Sequence, residues 1–104
     1  MNPTAAIAQA EAEIKEWDDR RSEIQRMIVP LQAVAESAPP SLVDAEGFPL
    51  ADVDLYSVRE ARHKIAVLQT EFLDLMKKIE SRMHSLHDLY RQEREAKEGN
   101  IDNK

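Results

Sequence analysis

The sequence predicts an all-α fold: an antiparallel two-helix hairpin, coiled-coil-like along its seam, with a long ordered connecting loop. Three observations carry that prediction. Apolar residues recur on a heptad in two long stretches, and an aperiodic segment containing prolines separates them. The chain also has only two glycines, Gly47 and Gly99, in 104 residues. An all-β fold needs many tight turns and therefore more glycine.

The first helix is expected from about Asn2 to Ala35. Asn2 or Thr4 is placed to cap it, and Pro3 suits a first turn because its missing N–H would be unpaired there. Ile7, Ile14, Ile28 and Ala35 form one heptad row; Ala10, Trp17, Ile24 and Leu31 form the other. Arg21 is the polar intruder. Pro30 removes a hydrogen bond and crowds the Arg26 carbonyl, so a kink near Arg26–Met27 is expected, or a stop and restart of the helix.

The segment from Glu36 to Val53 has no period. Glu46-Gly47 suits a turn in which Gly47 supplies a positive φ, and Pro49 biases Phe48 toward extended backbone. A connection this long is unusual between two helices and is expected to pack or to bind something.

The second helix begins at Asp52 or Asp54, either of which is a suitable cap, and meets no glycine or proline until Gly99. Its rows are Val58, Ile65, Phe72, Ile79 and Leu86, and Ala61, Leu68, Leu75, Arg82 and Leu89. Some 45 helical residues extend roughly 65 Å, against about 50 Å for the first helix. Two antiparallel registers satisfy both seams, one placing Ile24 opposite Phe72 and the other opposite Ile65. The domain organisation expected is a hairpin over 1–90 and a charged, frayed tail over 91–104, with Arg91–Glu95 and Glu93–Lys97 as weak i,i+4 pairs. Met76, Met83 and Tyr90, and Met27 and Val34 on the shorter helix, widen the apolar stripe beyond one neighbour's reach.

The composition restricts function. Charged residues make up 33% of the chain and hydrophobic ones 42%, many of them alanine, which suits long helices sharing a narrow seam. The net charge of −6 opposes binding to nucleic acid or an anionic membrane. Acidic neighbours interleave Arg20-Arg21, Lys77-Lys78 and Arg91/Arg94. No cysteine is present, and no apolar run has the length of a signal peptide or membrane span. The expected setting is the cytoplasm or nucleus.

No catalytic constellation is legible. There is no Gly-x-Ser-x-Gly elbow or glycine-rich phosphate loop, and the serines and histidines are scattered along rods. Glu80, His84 and His87 share a helical face but lack the fourth ligand of a closed zinc site. Glu60-Ala61-Arg62-His63 matches half of a di-iron motif that needs two copies and four helices. Asp44, Glu46, Asp52 and Asp54 do not follow calcium-loop spacing: counted from Asp44, Gly47 falls at position 4 and Leu55 at position 12. No metal, cofactor or enzymatic activity is therefore expected.

What remains is a protein-binding signal. Leu55, Tyr56 and Val58 lie beside Arg59, Arg62 and His63 at the start of the second helix, the mixture from which interface hot spots are built. The same residues also suit anchoring the loop and neutralising its aspartates.

The run from Leu42 to His63, LVDAEGFPLADVDLYSVREARH, resembles the signature of the proteasome non-ATPase regulatory subunit 9 family. The family pattern is Leu-Val-Asp-x-Glu-Gly-(Tyr/Phe)-Pro-Arg-Ser-Asp-Val-Asp followed by Val-Arg-x-x-Arg. Looser similarity continues through Ile65, Leu68-Gln69, Leu75-Met76 and Leu86-His87, and back through Glu23-Ile24, Ile28 and Glu36-Ser37. Leu50-Ala51 replaces the family's Arg-Ser, removing a basic contact, and Ala38-Pro39-Pro40-Ser41 replaces a glycine-containing turn. The resemblance covers the N-terminal domain of such proteins, without their C-terminal PDZ domain.

The resemblance implies an assembly chaperone for the base of the 19S regulatory particle. It would bind the C-terminal helical domain of one AAA-ATPase subunit, the fifth by usual numbering, and sterically block premature docking to the core particle. Phe48, Leu50, Tyr56, Arg59, Arg62 and His63 are the expected partner-binding residues of a monomeric domain. The alternative is a coiled-coil adaptor that self-associates through Met76, Met83 and Tyr90.

Overall fold

The computed structural model describes residues 3–102, the last four as backbone only. Two helices form the antiparallel hairpin: α1, Thr4–Ala35, and α2, Leu55–Asp102. Among the described residues, extended pairing is limited to an isolated antiparallel bridge between Val43 and Pro49.

The Pro3 carbonyl accepts the Ile7 N–H at 2.8 Å, so Pro3 stands at the N-cap and Thr4 is the first helical residue. Asn2, the other candidate cap, lies outside the described residues. Helix α1 runs through Pro30 without stopping. Pro30 and Arg26 are both exposed, which leaves the carbonyl deprived of its Pro30 donor within reach of water. Gly99 does not end α2, whose helical backbone reaches Asp102. A helical glycine costs about 1 kcal/mol relative to alanine, and this one does not break the ladder.

Packing divides into two compact units. In one, α1 as far as Arg21 pairs with α2 from Asp74 onward. Ile7, Ala10 and Leu86 form its buried cluster, with Ile14 and Leu89 packed against it. The two arginines that interrupt the seam rows lie here. Arg82 donates from Nε to Glu13 Oε2 at 3.1 Å. Arg21 pairs with the Asp18 carboxylate and directs Nη1 at the Met76 sulfur, 3.1 Å away, while its buried Nε has no hydrogen-bond partner. Tyr90 donates to Glu11 at 2.9 Å, and that bond holds its hydroxyl above the ordinary value of 10.0. Near the end of α2, Lys97 pairs with Glu93 at 3.3 Å, as the spacing predicts, and Arg91 with Asp88 at 3.4 Å.

The other unit is Ser22–Leu73: the rest of α1, the connection and the first turns of α2. Ile24, Val58, Ala61 and Leu68 are buried. Gln25, Ile28 and Gln32 line one shallow hollow with Gln69 and Phe72, and Arg62 reaches the Ala35 carbonyl. Each step up α1 is a step down α2 in an antiparallel pair. These neighbours therefore place Ile24 level with Phe72 and rule out the register with Ile65.

Candidate functional site

The connection folds because its carboxylates and glycine satisfy a specific turn. Asp44 Oδ1 accepts the N–H groups of Glu46 and Phe48, both at 2.9 Å. The Asp44 carbonyl accepts the Gly47 N–H at 3.0 Å, and Gly47 has φ +88°, as the sequence predicts. Two further bonds, Asp44 N–H to Phe48 carbonyl at 2.7 Å and Leu50 N–H to Leu42 carbonyl at 3.1 Å, close a miniature hairpin over 42–50. Pro49 opposes Val43 at the non-hydrogen-bonded position of this ladder, so its missing N–H leaves no acceptor unsatisfied.

The hairpin is tied at both feet. On the α2 side Asp54 is the cap: Oδ1 accepts the Ser57 N–H at 3.1 Å and Oδ2 the Ser57 hydroxyl at 2.7 Å. Those bonds, the hydroxyl first, hold the Asp54 carboxyl below its ordinary value of 3.8. On the α1 side the helix ends with Glu36 N–H bonded to Gln32 and Ser37 N–H to Val34. Beyond that, Arg62 takes over. Its Nη2 points at the carbonyls of Pro39 (2.9 Å), Ala35 (3.3 Å) and Ala38 (3.5 Å), and Nη1 donates to Pro40 at 3.2 Å. One guanidinium thus gathers carbonyls from the end of α1 and the segment following it, which only its planar fork can do.

The six residues singled out for partner binding all belong to this unit. Phe48 and Tyr56 are solvent-facing, 62% and 76% exposed, and Arg59 and His63 are also exposed. Leu50 is half-buried next to the bridge, and Arg62 is half-buried against the connection. Tyr56, Arg59 and His63 follow helical spacing on one side of α2. Val67, one turn beyond His63 and 53% exposed, extends that side with a further apolar surface. Its signal in the sequence is a valine off both seam rows, a position where a solvated helix carries a polar residue.

Among the described residues no three His, Cys, Asp or Glu side chains gather as ligands. Asp44 Oδ1 and both Asp54 oxygens accept from backbone and hydroxyl donors. Among the described residues, no helix is long and apolar enough to cross a membrane.

Comparison with known proteins identifies relatives of this chain. The family model of the Nas2 N-terminal domain matches residues 14–88. The 26S proteasome non-ATPase regulatory subunit 9 of Rattus norvegicus is 45% identical over 87 residues, covering 79% of this chain and 39% of that protein. Its Homo sapiens counterpart is 41% identical over 81 residues, covering 73% and 36%. The Drosophila melanogaster protein is 48% identical over 46 residues, covering 44% and 21%. The chain spans about two fifths or less of the length of these curated relatives. No solved structure matches it significantly. The match over residues 14–88 takes in the whole connection and most of each helix, and the chain belongs to the Nas2 N-terminal domain family.

Proposed function

We propose that this chain is a non-catalytic protein-binding domain that serves as an assembly chaperone for the base of the proteasome's regulatory particle. It grips the C-terminal helical domain of one AAA-ATPase subunit and, by occupying that surface, blocks premature docking to the core particle. Steric occlusion and reversible affinity suffice for this, without a chemical step. The observation that carries the reading is the family match, which includes the loop signature and the exposed Phe48 and Tyr56 beside it. Aromatic side chains held in water by an ordered scaffold are what an interface anchor requires. The cytoplasm and nucleus are the proposed setting, checked by imaging a tagged full-length protein for exclusion from membrane-bound compartments.

Calorimetric titration against the isolated C-terminal domains of all six proteasomal ATPases tests the reading. Binding to one, with the other five silent, is expected; silence from all six would overturn it. A second reading, self-association as an adaptor, is favoured by Met76, Met83 and Tyr90, which are 39%, 43% and 45% exposed. Sedimentation equilibrium separates the two, because an adaptor gains mass with concentration and a monomeric chaperone domain does not.

A further inference from the structure

Arg62 stands among the residues that sequence spacing offers to a partner, yet its donors face the chain itself. Carbonyls of Ala35, Ala38, Pro39 and Pro40 lie 2.9–3.5 Å from its two terminal nitrogens. Pro39 and Pro40 have no N–H, so this stretch has two fewer backbone donors with which to tie itself down. The hairpin over 42–50 holds itself together through Asp44, and its residues 43–49 are exposed, so they do little to fix where it sits. Its α2 foot is set by Asp54, and Arg62 is the tie on the other side.

We propose that Arg62 is a positioning residue: it holds the connection in place so that Phe48 and Leu50 are presented as a preorganised recognition element. Its effect on affinity rests on the binding role proposed above, but its effect on the free domain does not. Without the tie, the hairpin keeps its internal turn and samples many placements, and affinity falls by the fraction that remains competent. Lysine offers one compact ammonium in place of the fork and does not restore the set of bonds.

The test uses the whole chain, Arg62→Ala and Arg62→Lys, with ¹⁵N relaxation on the free protein and calorimetry against the ATPase domain that the unmutated chain binds. Expected are order parameters over 41–50 falling below about 0.6 in both variants, with the helices staying at about 0.85. Affinity should fall by about tenfold. If Arg62→Ala loses its helices, Arg62→Lys, which keeps charge and stem, decides. Unchanged order parameters overturn the proposal whatever the affinity does, because Arg62 would then act as a contact. Loosened loops with unchanged affinity overturn it equally. If the unmutated chain binds none of the ATPase domains, the chaperone reading fails, while relaxation still decides whether Arg62 positions the connection.

Discussion

Ile24→Ala is the most direct probe of the seam between α1 and α2. Ile24 is fully excluded from solvent, and it and Val58 are the largest side chains so buried. The substitution removes three carbons, a transfer loss of about 2.4 kcal/mol at about 0.8 per carbon. Large-to-small changes in cores cost about 2–5 kcal/mol once the residual cavity is included. Here the surroundings can close in: the neighbouring hollow lined by Gln25, Ile28 and Phe72 is open, and Ile28 and Phe72 are only half-buried. A loss of about 2–3 kcal/mol is therefore expected, toward the low end, with a melting temperature lower by roughly 10–20 °C. Ile24→Val, one carbon smaller, should cost about 0.5–1.5 kcal/mol. Urea titration followed by far-ultraviolet circular dichroism reads these values, provided the slope m is unchanged. A loss below about 1 kcal/mol for Ile24→Ala, or a larger loss for half-buried Ile28→Ala, would refute the burial of Ile24 in the seam between α1 and α2.

Gly47→Ala meets no atom within 4 Å, so the φ of +88° is its whole penalty. About 1 kcal/mol is expected, read as faster amide exchange at Phe48 and Leu50; unchanged exchange would show that the turn tolerates a side chain. Glu13 and Arg82 are 32% and 29% exposed at their side chains, so solvent screens the pair. A double-mutant cycle should give a coupling of about 0.2–1 kcal/mol that weakens with salt, and a salt-independent value above about 2 kcal/mol would contradict that partly solvated geometry. The Asp54 carboxyl is held below 3.8 in the folded chain, so its charged cap stabilises above that pH and loses its effect as the pH falls through the lower folded value. The difference in urea midpoint between the wild type and Asp54→Ala should accordingly be full at neutral pH and shrink below about pH 3.8; a difference constant to pH 2 would assign the cap to geometry alone.

Much of the fold could be read because a helix exposes its burial pattern directly. Ile7, Ala10, Ile24, Val58, Ala61, Leu68, Leu75 and Leu86, the buried hydrophobics among the described residues, all fall on the heptad rows read from sequence. Gly47 was legible for a similar reason, since a positive φ beside an acidic turn leaves few residue choices. The register was not legible. Ile24 suits Phe72 and Ile65 equally as an apolar neighbour, and what decides is which side chains meet across the pair, Ile28 with Phe72 around one hollow and Arg62 with the Ala35 carbonyl, which no apolar period encodes. The outcome at Pro30 was hidden too, because whether a lost hydrogen bond breaks a helix depends on whether the stranded carbonyl meets water.

The site was legible as a place and only partly as a set of roles. Spacing marks an arginine that departs from the apolar rows, but not the direction its side chain takes. Arg82 is matched with a carboxylate 69 residues away and Arg62 with a carbonyl 22 residues away, separations outside any local motif. Local spacing grouped Arg59, Arg62 and His63 as equivalents. Their surroundings divide them: Arg62 has its hydrogen-bonding capacity largely met within the chain, whereas Arg59 and His63 are exposed. A partner that gains from a cation at this site would have to draw on Arg59 or His63, because taking Arg62 would strip carbonyls of their donor and release the connection. Binding energy and loop order then load on different residues of the same two turns, and variants at Arg59 and Arg62 should separate them.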